Sequence, residues 1–79
     1  LLKVVVLLGD CYSKRKDYES AKGEYNRAMQ IVQSSFGSGS HVLAAVIERI
    51  GDMYLKQDLL KTAIAQFNYA LLIFQGAGK

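Results

Sequence analysis

The sequence has no proline and no tryptophan, and among its 79 residues only one cysteine and one histidine. Each scarcity excludes something. Without proline, nothing forces a kink or break in a helical stretch. With Cys11 alone, no disulfide can staple the fold, which favours a reducing, intracellular (cytoplasmic) setting. Zinc asks for four ligands at close spacing, and His41 and Cys11 stand 30 positions apart, so no metal site is expected. Nucleophilic catalysis needs a base beside its nucleophile, and the one histidine sits next to a flexible linker instead. No enzyme and no cofactor is therefore expected. His41 reads as part of a helix start and Cys11 as a small buried hydrophobe. No apolar run reaches the 18 or so residues that span a bilayer, which argues against a membrane partner. The opening Leu1–Leu8 lacks an initiator Met, a basic leader and a cleavage site, so it reads as the apolar side of a helix. The missing Met suggests a fragment of a longer array. The only dense basic run, Lys14-Arg15-Lys16, is answered by Asp17 and Glu19 and reads as a solvated turn within a net charge of +3.

What the chain does have is itself, twice. Shifted by 42 positions, residues 1–33 fall on 43–75 with 11 identities in 33 pairs. Leu1, Val4, Gly9, Asp10, Tyr12 and Lys14 recur as Leu43, Val46, Gly51, Asp52, Tyr54 and Lys56. Ala21, Asn26, Ala28, Ile31 and Gln33 recur as Ala63, Asn68, Ala70, Ile73 and Gln75. The 79 residues thus read as a single helical-repeat domain, with repeat 1 over 1–40 and repeat 2 over 41–79.

Each unit has the periodicity of two helices. Leu1, Val4, Val5, Leu8 and Tyr12 lie three and four apart on one helical face, as do Leu43, Val46, Ile47, Ile50 and Tyr54. Ala21, Tyr25, Ala28, Met29 and Val32 mark the second helix, as do Ala63, Phe67, Ala70, Leu71 and Phe74. Helices are predicted near 1–15, 18–36, 41–57 and 60–75, with no strand. Asp17 stands where an N-cap belongs. Its counterpart acid, Asp58, falls one place early, which predicts a differently built turn. Gly37 can take the left-handed conformation that ends a helix, and Ser40 can cap the next. Gly9 and Gly51, mid-helix, each cost about 1 kcal/mol relative to alanine, which suggests that close helix approach needs the missing side chain. The rings of Tyr12, Tyr25, Tyr54 and Phe67 would fill the space around such small residues.

Leu8-Gly9-x-x-Tyr12 followed by Ala21, Tyr25 and Ala28 resembles the tetratricopeptide repeat signature, and Ile50-Gly51-x-x-Tyr54 with Ala63, Phe67 and Ala70 repeats it at the same spacings. The chain departs from the pattern in two places. Val5 and Ile47 stand at the family's first aromatic position, and Gln33 and Gln75 replace its closing proline. The period of 42, against about 34 for the family, is similar to the long repeats of kinesin light chains. The stretch from Gly37 to His41 also resembles their Gly-x-x-His linker, one residue longer.

The resemblance implies an all-α fold of two tandem helix–turn–helix repeats, part of a right-handed superhelix whose concave wall is lined by the first helix of each unit. It also implies a scaffold that holds a peptide or helix of a partner protein on that wall. The inward positions would be Lys3, Val6, Asp10 and Ser13, then Ala45, Glu48, Asp52 and Leu55. The family's carboxylate clamp needs a Lys and an Asn one turn apart. Val6 and Asp10, and Glu48 and Asp52, occupy those places, and an acid there would repel a carboxylate. The competing reading is an RNA-binding helical repeat. RNA calls for a basic face, whereas this wall sets Lys3 against Asp10, Glu48 and Asp52, so no nucleic-acid partner is expected. The closing Gly76-x-Gly78-Lys79 is faintly similar to a phosphate loop but lacks its spacing and strand. The helix near 60–75 is apolar on much of its surface, so the 79 residues alone are expected to be unstable or to self-associate through it, with a further repeat or a partner covering it in a longer chain.

Overall fold

The computed structural model describes residues 1–37 and 39–76. Four helices follow one another: α1 (Leu2–Lys14), α2 (Tyr18–Phe36), α3 (His41–Lys56) and α4 (Leu60–Phe74). Among the described residues there is no strand. Gly78 and Lys79, of the weak phosphate-loop likeness, lie outside them, as does Ser38 of the linker. Helices α1 and α2 form one hairpin and α3 and α4 the next; α2 packs on α3, while α1 meets α3 only along an edge.

The joints follow local chemistry. Asp17 accepts a hydrogen bond from the Ser20 amide at 3.3 Å, and Ser40 Oγ accepts one from the Leu43 amide at 3.1 Å. Both satisfy amides that have no partner inside their helix. Gly37 ends α2 at φ 88°, a conformation open to glycine because it has no Cβ. The two hairpin turns prove alike in backbone. Lys16 and Asp58, 42 apart, take φ 66° and 63°. The amides that follow them, at Asp17 and Leu59, donate to the Tyr12 and Tyr54 carbonyls at 2.9 and 3.0 Å. The offset acid changes only the cap: Asp58 occupies the left-handed position, and Leu59, at the N-cap of α4, offers no side-chain acceptor.

Helix α3 is the centre of the core. Leu43, Ala44, Val46, Ile47, Ile50 and Met53 are all buried on it, between α2 and α4. Its twin α1 is covered on one side only. Leu1 is 82% exposed where Leu43 is 0%, and Val4 58% where Val46 is 3%. Cys11 is exposed, while Met53 in the same register is buried, so the expectation of a buried thiol fails. The reason is position: the stripe that α2 covers on α3 has no covering helix on α1.

Each hairpin closes on a glycine and a ring. A methyl carbon placed on Gly9 would lie 2.6 Å from Cε1 and 2.7 Å from Cδ1 of Tyr25; on Gly51 it would lie 2.8 Å from Cε1 of Phe67. What the missing side chain admits is therefore an aromatic ring, set across the glycine backbone. The two sites differ in freedom. Tyr25 is buried and tied by its hydroxyl, whereas Phe67 is half-buried and has none. Gly9→Ala should lower stability by on the order of 1–2 kcal/mol, overpacking outweighing the gain in helix propensity. Gly51→Ala should stay within about 1 kcal/mol of the parent, because Phe67 can swing aside. Urea melts followed by circular dichroism compare them, and equal losses would refute the role given to the tether.

Candidate functional site

Helices α1 and α3 stand side by side along the wall. Between them runs an apolar groove of about 290 Å³, with Leu2, Val6 and Leu7 on one flank and Val42, Ala45 and Val46 on the other. Lys3 and Arg49 line it as well. A second hollow, about 590 Å³ and more polar, continues along α3 and is lined by Ala45, Glu48, Arg49, Asp52 and Phe67. Ala45 and Arg49 border both, so the two form one surface.

Arg49 also takes part in a clamp that joins three helices. The Tyr25 hydroxyl on α2 donates to Asp10 Oδ1 at 2.6 Å, and the Arg49 guanidinium on α3 donates to Asp10 Oδ2 at 2.5 Å. Asp10, on α1, thus ties the first hairpin to the second. The Arg49 ion pair is partly open to water and adds at most about 1 kcal/mol. The bond from a buried phenol to a carboxylate is worth more, on the order of 1.5–3 kcal/mol. Burial raises the Tyr25 phenol well above its ordinary range, and the hydrogen bond to Asp10 and that residue's charge push the same way.

Among the described residues the second unit has no such clamp. Phe67 stands at the tyrosine's place, and Asp52 turns to Lys56, one helical turn on, at 3.4 Å. Of the expected wall residues, Lys3, Ala45, Glu48, Asp52 and Leu55 are exposed and Val6 is half-buried. Lys3, Val6 and Ala45 border the groove; Glu48 and Asp52, with Ala45, line the hollow; Leu55 borders neither. Asp10 is engaged within the fold, and Ser13 is buried. Sequence reasoning missed Leu2, Leu7, Val42, Val46 and Arg49. An acid facing the wall from a first helix was the one signal of a basic partner across the gap.

Among the described residues, no three His, Cys, Asp or Glu side chains gather where they could hold a metal ion. No helix among them is long and apolar enough to cross a membrane. His41 opens α3, and its ring meets the Phe74 ring edge-on at 5.5 Å, linking the start of α3 to the end of α4.

The raised phenol sets a pH limit. Because Tyr25 holds its proton more tightly folded than unfolded, its contribution is complete below the unfolded value near 10.0 and is lost as pH rises above it. Stability should fall above about pH 10 by up to about 1.4 kcal/mol per pH unit from this group. Thermal melts of the parent and Tyr25→Phe from pH 8 to 11.5 test it. The parent should lose more than the variant at the alkaline end, and parallel curves would remove Tyr25 as the cause.

Set beside known families, residues 2–75 match the family model for the tetratricopeptide repeat, a span that takes in all four helices. No curated protein and no solved structure matches the chain. Two helical hairpins in register, each closed by a ring on a glycine, and a family match over almost the full length lead to one conclusion: the chain belongs to the tetratricopeptide repeat family.

Proposed function

We propose that this chain is a non-enzymatic adaptor that holds a peptide or helix of a partner protein on the wall formed by α1 and α3. Proteins of this family generally mediate protein–protein interaction. The observation that carries the reading is the apolar groove between α1 and α3, open to solvent and bordered by Val6 and Ala45. Apolar surface left in a concavity is what partner side chains fill. Val6, Ala45, Glu48 and Asp52 are the residues put forward for contact, together with Lys3; Asp10 holds the wall together, and Ser13 is left out because it is buried. A single exposed, unpaired thiol at Cys11 suits a reducing compartment, and we assign the chain to the cytoplasm on that ground.

The test compares opposite faces. Glu48→Lys with Asp52→Lys should cut recovery of partners co-purified from cells at least severalfold, with the helical signal unchanged. Lys22→Glu with Lys61→Glu, on the second helices, should leave recovery intact. The reverse pattern would move the site to the outer face.

A second mode of association rests on the ends of the stack. Phe74 is 43% exposed where its counterpart Val32 is 0%, Leu71 one turn before it is half open, and so is Leu60 at the other end of the helix. Helix α4 thus offers the face that α2 buries on α3, and α1 offers the complementary stripe of Leu1, Val4 and Leu8. Burial is worth about 25 cal/mol per Å² of apolar surface, so covering a few hundred Å² contributes several kcal/mol. The 79-residue chain should therefore self-associate through α4. Sedimentation at low micromolar concentration should give a weight-average mass that rises with concentration, and a strict monomer with a sharp melt would count against it.

A further inference from the structure

We infer that the wall selects a partner segment carrying an apolar side chain with a lysine or arginine two to four residues away: the apolar group fills the groove and the cation enters the hollow of Glu48 and Asp52. This rests on the concave-wall reading above and adds the chemistry of the ligand.

The charges along the wall are unevenly spent. Asp10 and Arg49 cancel in their ion pair. That leaves Lys3, which lines the groove and not the hollow, and Glu48 and Asp52 in the hollow. Glu48 has no ion pair among the described residues, and Asp52 has only the exposed contact to Lys56, a weak and easily exchanged one. The hollow is therefore acidic in a chain whose net charge is +3. The ring of Phe67 borders the same space, and an aromatic ring is a neighbour that suits a cation better than a carboxylate. Tyr25, at the equivalent place in the first hairpin, is buried and spends its hydroxyl on Asp10.

The apolar groove supplies the anchor and fixes the spacing. On α3 it is bordered by Val42, Ala45 and Val46, and the hollow by Glu48 and Asp52. Between the midpoints of the two sets lie about six residues, or about 9 Å at 1.5 Å per residue. An extended segment covers that in about three residues at about 3.3 Å each. On a helical ligand, side chains three or four apart share a face, and the length of a lysine or arginine side chain makes up the remainder.

The experiment uses a phage library of random 12-residue peptides captured on the full 79-residue chain, with the helical content of every variant checked by circular dichroism. The parent should enrich, severalfold over the unselected library, peptides with an apolar residue and a Lys or Arg two to four positions from it. Glu48→Lys with Asp52→Lys should lose that basic preference at least tenfold and favour acidic residues instead. Ala45→Arg, at an exposed position bordering both spaces, should abolish capture. Peptides enriched without a basic bias, or a bias that survives the double reversal, would overturn the inference while leaving the wall as a binding surface, provided Ala45→Arg still abolishes capture. Capture indifferent to Ala45→Arg, or no enrichment at all, would remove the wall reading and this inference together.

Discussion

Both hairpins are built around an aromatic ring lying on a glycine. The ring can reach the backbone of the first helix only because no Cβ stands between them, and that contact sets how closely the two helices approach. The small residues on the second helix follow from it. Ala21, Ala28, Ala63 and Ala70 are buried because the spacing leaves room for nothing larger. Asp10 depends on it too, since the ring on Gly9 brings the Tyr25 hydroxyl within 2.6 Å of its carboxylate. Arg49 then reaches the same carboxylate from the middle of α3, so the acid held by that ring also ties the first unit to the second.

Much of this was written in local pattern. The 42-residue echo, the caps at Asp17 and Ser40 and the positive φ at Gly37 were all legible, because each depends on residue type and short spacing alone. Other features depend on neighbours that periodicity does not supply. A helical stripe shows which face is apolar, but not whether another helix lies on it. Cys11 and Met53 share a register and an apolar environment in sequence, and differ in exposure because only α3 has α2 beside it. Asp10 and Arg49 are 39 residues apart and leave no periodic trace. The turn at Asp58 misled for a related reason: the acid looked like a displaced cap, yet hydrogen bonds to the Tyr12 and Tyr54 carbonyls fix the same backbone in both turns.

The two units are near copies in backbone and unequal in chemistry. Tyr25 carries a hydroxyl that Phe67 lacks, and Arg49 of the following helix meets the acid of the first unit. In the first unit the conserved-register acid is locked inside the scaffold; in the second, Asp52 faces outward with only a surface lysine beside it. A repeat duplicated in sequence thus divides its labour, one acid holding helices together and its twin left at the wall. The polarity of the wall, apolar between the units and acidic along α3, arises from that division.

The exposure of Cys11 has a practical side. The lone thiol sits within the stripe of α1 that corresponds to the buried stripe of α3, one turn from Leu7 and Leu8. Any helix that settles on α1 as α2 settles on α3 must shield that sulfur from solvent. Alkylation of Cys11 is thereby a built-in footprint, fast when the first helix is bare and slow when it is capped. Oxidation of the same atom would put an acid on an apolar seam, making the neighbouring contact sensitive to the redox state around it.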